Sequence, residues 1–304
     1  MTKLIICLLL VFLNLVVTNV IFGDTKTGAV ILKQIFSARA ESMGNAFTGI
    51  ADDINSVFYN PAGLISVKSK ELLAGYVQTV GDTNIQVVSI TKAFDQGILH
   101  NKETLAFSIC SLQSGIIEVN LTDPDDTFRE TKLYQAEKDY LVIVSYARKF
   151  GETISAGTNI KLIQSTLVEM YSAIVSGFDI GLLYKKNNLG LGLCLQNIGQ
   201  EIKYKEVGDP LPLNMRIGAG VTTPFGLVAV DFISDLENEI KLNLGTEYRI
   251  KDIIMLRLGY KIWYDLDTFS FGLGINWKYI KFDFGLSLLS RFNYTYRTNV
   301  IFQF

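Results

Sequence analysis

One histidine, His100, is the only imidazole in the chain. It lies in the polar stretch Asp95 to Lys102, with no serine and aspartate spacing around it that would suggest a catalytic triad. No group of histidines, cysteines and carboxylates has metal-site spacing, and no phosphate-cradling glycine loop is present. Gly190-Leu191-Gly192 sits inside strand-like sequence with no helix after it. These absences argue against an enzyme and against any cofactor or metal. A basic excess is also missing: 28 lysines and arginines face 30 acids, a net charge of −2, so nothing points to a nucleic-acid partner. Cysteine is scarce at three residues. Cys7 lies deep in an apolar run, too far in to resemble a lipoprotein cysteine, and Cys110 and Cys194 read as small free thiols within strands. Proline is scarce at five, which leaves long strands uninterrupted. After residue 23 no window reaches the roughly 18 to 20 apolar residues of a membrane helix.

What is present begins with a secretory signal pattern. Lys3 precedes an almost unbroken apolar run, Leu4 to Val17, and small or polar residues follow to Gly23-Asp24. Residues 1–23 are expected to be a cleaved signal peptide. From about Glu71 to Phe304 the chain alternates with period two, the pattern of strands with two unlike faces. In the last run Tyr294, Tyr296, Thr298, Val300, Phe302 and Phe304 share one face, and Thr295, Arg297, Asn299, Ile301 and Gln303 the other. About fourteen such runs begin near residues 69, 84, 103, 137, 153, 173, 189, 213, 225, 239, 253, 268, 280 and 294.

Tight connections (150–152, 185–188, 223–226, 251–252, 278–281) alternate with longer ones (114–136, 197–211, 234–239, 263–268). Short turns at one end and long loops at the other are the plan of an outer-membrane barrel, with the short turns in the periplasm. The expected fold is all-β: an antiparallel transmembrane β-barrel of about fourteen strands over residues 69–304. The bulky face meets lipid, and the polar face lines a wet lumen. Arg216, Asp231, Glu247, Arg257, Asp283 and Arg297 fall on that polar face as a solvated wall of mixed sign. Glu247 and Arg257 are expected to pair across the hairpin at Lys251-Asp252. A barrel this wide is too broad for its own wall side chains to fill. The non-alternating residues 24–68 are therefore expected to be a small plug.

The run Gly28 to Leu64, GAVILKQIFSARAESMGNAFTGIADDINSVFYNPAGL, resembles the N-terminal signature of the PorV/PorQ family of FadL-like outer-membrane proteins, which includes uncharacterised spirochaetal relatives. The likeness rests on Ala38-Arg39-Ala40, Met43-Gly44, Ala51-Asp52-Asp53 and Asn60-Pro61-Ala62-Gly63-Leu64, on Leu195 to Val221, and on the ending from Gly245 to Phe304. Glu41 departs from it, standing where an apolar or small residue is expected.

The resemblance implies an outer-membrane location, with surrounding lipid and the barrel-assembly machinery as partners and the terminal aromatic Phe304 as the assembly signal. It implies a plug with Arg39, Gly44, Asp52 and Asp53 in its motif and the turn Asn60-Pro61-Ala62-Gly63 just before the first strand. That turn reads either as a rigid launch for strand one or as a gate. The implied activity is diffusion of a hydrophobic or amphipathic small molecule. The alternatives are a secretion component that holds exported protein cargo, and a structural barrel whose plug stays closed.

Overall fold

The computed structural model describes residues 27–97, 101–125, 127–235, 240–264, 267–289 and 293–304. The signal-peptide reading of residues 1–23, and His100, lie outside them. The strands are β1 (Lys70–Gln78), β2 (Asn84–Phe94), β3 (Glu103–Gln113), β4 (Ile116–Thr122), β5 (Phe128–Gln135), β6 (Glu137–Phe150), β7 (Ile154–Leu167), β8 (Tyr171–Lys186), β9 (Leu189–Gly199), β10 (Ile202–Lys203), β11 (Gly208–Asp209), β12 (Asn214–Thr223), β13 (Gly226–Asp235), β14 (Ile240–Ile250), β15 (Ile254–Ile262), β16 (Asp267–Trp277), β17 (Ile280–Leu289) and β18 (Asn293–Gln303). Fourteen of them close an antiparallel barrel in the order β1-β18-β17-β16-β15-β14-β13-β12-β9-β8-β7-β6-β3-β2. Each barrel strand starts within two residues of its expected position. The long connection at 114–136 is itself a hairpin, β4 with β5, and the one at 197–211 carries the small pair β10 with β11.

Alternation builds the wall. Along β8 buried and exposed positions alternate almost without a break. The outward residues are large and apolar, as at Ile160 (65% exposed) and Ile174 (68% exposed). So many exposed apolar side chains on one continuous surface suit hydrocarbon rather than water. The tight turns use left-handed backbone at Gly151, Asn187, Lys251, Asp252 and Lys278, the geometry that matches the twist of a two-residue hairpin. The barrel is sealed where β1 pairs with β18, and Phe304 and Lys70 exchange backbone hydrogen bonds at its short-turn end. No helix among the described residues is long and apolar enough to cross a membrane. Cys110 and Cys194 are buried free thiols.

The residues before β1 fold inside the ring. They form two 3₁₀ turns, η1 (Val30–Lys33) and η2 (Pro61–Ser66), and two short helices, α1 (Ala38–Ser42) and α2 (Ser56–Tyr59). Ser37 caps α1 by accepting the Ala40 N–H at 3.1 Å. The helix stops after one turn because Gly44 and Asn45 both take positive φ (62° and 67°). Ala46 and Gly49 therefore lie outside any helix, in the turns that follow. Contacts to β3, β6, β7 and β8 on one side and to β15, β16, β17 and β18 on the other place this plug across the lumen.

Candidate functional site

The plug sits in a seat made by missing side chains. Inward positions on successive strands are glycine where the plug passes: Gly157, Gly181, Gly192, Gly218, Gly245, Gly259, Gly272 and Gly285. Several face one another in register, such as Gly157 with Gly181, Gly192 with Gly218, Gly245 with Gly259, and Gly272 with Gly285. A Cβ on Gly259 would land on the amide of Gly44, and one on Gly192 would land on the carbonyl of Thr48. Only glycine lets plug backbone and wall backbone touch in this way. By sequence alone Gly190 and Gly192 are ordinary strand glycines, and nothing local marks this belt. The available signal was glycine recurring at inward positions on neighbouring strands.

Charged wall residues grip what the glycines admit. Arg39 on α1 reaches Asp52 (2.6 Å), Asp53 (2.7 Å) and Glu247 (3.2 Å). Glu247 also pairs with Arg257 at 2.8 Å, and Arg257 with Asp283 at 2.6 Å. Burial opposes charge on Arg39, but Asp52, Glu247 and Asp53 outweigh it and hold the guanidinium firmly protonated. For Asp52, burial is outweighed by Arg39 and Lys185, so its carboxyl lies below the usual range.

Glu41, two residues along α1, meets the opposite sign. It accepts from Lys261 at 2.8 Å and from Ser287, with Arg297 at 3.5 Å. Burial would raise its carboxyl, but Arg297 and Lys261 win and lower it to about 2. The residue that departed from the family pattern is thus a buried anchor of the plug.

A third contact ties down the following turn. Asp231 accepts from Phe47 N (3.0 Å), Thr48 N (2.9 Å) and Thr48 Oγ1 (2.6 Å), while Arg216 donates to Asn45 O at 2.8 Å. Arg297 donates to Ile35 O at 3.0 Å.

All six charges read as lumen residues therefore point inward, and Glu247 and Arg257 are paired as expected. They are not a solvated wall, however. Each is 7% exposed or less, because the plug covers them. Asp53 of the plug motif is likewise buried beneath Arg39.

Asn60-Pro61-Ala62-Gly63 is wedged against the wall. Asn60 Oδ1 accepts the Ala62 N–H and so caps η2, while its Nδ2 donates to Leu182 O on β8 (3.0 Å) and to Thr48 O (3.2 Å). Ser155 on β7 donates to Ala62 O at 3.0 Å. A Cβ on Gly181 would collide with Asn60, one on Gly157 with Ala62, and one on Gly63 with Ala51. This geometry is that of an anchor.

Above the plug, on the long-loop side, lies a cavity of about 180 Å³. Leu32, Ile35 and Phe58 of the plug form its apolar floor, and Gln196, Asn214 and Arg216 supply polar edges. Arg216 stacks over the Tyr59 ring at 5.2 Å. Among the described residues no group of three or more histidines, cysteines or carboxylates could hold a metal ion.

No family model matches the chain, and no curated protein matches it. Solved structures do. The *Pseudomonas putida* toluene transporter TodX aligns with a TM-score of 0.66 at 11% identity, covering 87% of this chain and 97% of that one. The *Ralstonia pickettii* toluene transporter TbuX gives 0.56 at 12% identity, with 88% and 96% covered. A *Pseudomonas aeruginosa* FadL homologue gives 0.57 at 10%, with 88% and 98% covered. At these identities the likeness establishes the fold: a closed, fourteen-strand barrel of the FadL type.

Proposed function

We propose that the chain is a FadL-like outer-membrane channel through which small hydrophobic or amphipathic molecules diffuse from the outside to the periplasm. One observation carries this reading: a folded plug blocks the lumen, and a partly apolar cavity opens against its long-loop face. The structural neighbours, two named as toluene transporters and one as a FadL homologue, support it. An engineered apolar cavity of about 150 Å³ admits benzene, so this one accommodates a single small ring or a short chain. The polar groups at its edge suit a molecule with one hydrogen-bonding end. Movement would be downhill, without covalent chemistry, and would require the plug to shift. The PorV/PorQ likeness and the terminal Phe304 support export through a signal peptide and insertion by the barrel-assembly machinery. Deleting Phe304 should deplete the protein from the outer-membrane fraction.

Native mass spectrometry of the protein purified in mild detergent from its own outer membrane tests the proposal. A retained small hydrophobic molecule is expected, and Ile233→Trp, which fills the cavity, should expel it while the barrel stays folded. A retained protein partner would overturn the reading in favour of cargo binding. A bare barrel would favour a structural role.

A further inference from the structure

The inner wall changes chemistry halfway down three adjacent strands. Toward the long loops its inward residues are Ile85 and Val87 on β2, Cys110 and Leu112 on β3, and Leu141 and Ile143 on β6, with the buried carboxylate of Asp139 next above Leu141. Toward the short turns the same faces carry Ser89 and Thr91, then Thr104 and Ser108, then Ser145. Ser89 lies opposite Ser108, and Thr91 opposite Ala106, which in turn faces Ser145. The hydroxyls thus form a patch, interrupted by Ala106 and Ala147, directly below the apolar one.

The plug is tethered on both sides of this patch but not to it. At one flank Ile54 N donates to Glu71 on β1 at 3.0 Å. At the other, Asn159 on β7 donates to Val57 O at 2.8 Å. Among the described residues no hydrogen bond or ion pair joins the plug to Ser89, Thr91, Thr104, Ser108 or Ser145. The plug instead contributes Val57 and Leu64 to the apolar cluster that includes Ala106 and Ala147. Thr104 Oγ1 and Ser145 Oγ are buried and without a partner, as are Ser56 Oγ and Asn55 Oδ1 at the helix between the two tethers. A buried hydroxyl without a partner penalises the closed state, and wetting removes that penalty. Around the rest of the ring, ion pairs and backbone contacts through glycine hold the plug shut.

We infer that the plug parts from the wall along this arc of β2, β3 and β6, and that the hydroxyl patch lines the lower half of the permeation path. This rests on the channel reading above and adds its route. An apolar wall passing into a hydroxyl wall suits molecules that carry both hydrocarbon and a neutral hydrogen-bonding group.

Thiol labelling tests the route. In a Cys110→Ala, Cys194→Ala background, Ser108→Cys and Ser145→Cys are compared with Ser270→Cys, whose serine accepts the Gly44 N–H in the glycine seat. The proteins are reconstituted in vesicles and exposed to a charged methanethiosulfonate, and folding is checked by heat-shifted gel mobility. Both arc cysteines should label at least about tenfold faster than the seat cysteine, as local opening demands. Equal rates, faster labelling at residue 270, or no labelling at any of the three would overturn the route. The readout needs no permeant, so it fails or succeeds separately from ligand retention.

Discussion

Two arcs of the same wall meet the plug in different ways. From β12 to β18 the plug touches backbone, through Gly218, Gly245, Gly259, Gly272 and Gly285, and is held by paired charges. Over β2, β3 and β6 it touches side chains and leaves hydroxyls unpaired. The first contact is specific and intolerant of added atoms. The second is a soft seal that water can replace. One plug can therefore be both fixed and able to open, provided one arc of its rim is left soft.

The sharpest way to break this contrast is Arg39→Met. It leaves Asp53 and Glu247 buried without their shared cation, and losing one partner of a buried ion pair costs about 3–5 kcal/mol. Urea unfolding in detergent should show a loss of that size and earlier protease cleavage within residues 27–67.

Acid probes the other end of α1. With its carboxyl lowered to about 2 from an ordinary value near 4.5, Glu41 contributes stability that is fully present above about pH 5. That stability is lost as pH falls toward 2. The loss is on the order of 3 kcal/mol, and Glu41→Gln should remove this part of the pH dependence while lowering stability at neutral pH.

Gly259→Ala places a methyl on Gly44 and should cost about 1–3 kcal/mol by overpacking. It should also raise vesicle conductance, since a displaced plug leaks. Asn60→Ala removes a cap and two donated bonds, and should cost about 1–2 kcal/mol. Unchanged uptake in that variant would identify the turn as an anchor alone. Ser145→Ala should be neutral or stabilising by less than about 1 kcal/mol, because it deletes a buried hydroxyl that has no partner. A large loss there would show that the soft arc is misassigned.

The barrel was legible in the sequence because its rules are local. Period two assigns each residue to a face, and turn residues set the strand ends, so fourteen starts could be placed and Glu247 could be matched with Arg257 across one hairpin. The seat was not legible, because its partners are distant. Ala38 N bonds Asn299 from 261 positions away, and Glu41 meets Lys261 from 220 away. Alternation shows that Asp231 faces inward but not that Thr48 will fill the space before it. Thus the lumen charges read as solvated, and Glu41 as an anomaly, until the plug is in place.

The glycine seat also fixes an order of assembly. The plug precedes every barrel strand in the chain, yet much of its seat lies on β15 to β18, the last to be synthesised. Glu41 must wait for Lys261 and Arg297 before its charge is neutralised, and Arg39, already paired with Asp52 and Asp53 of the plug, gains Glu247 only from β14. The pairing of β1 with β18 closes the ring beside the strand that binds Ala38. Seating the plug and closing the barrel are thereby coupled.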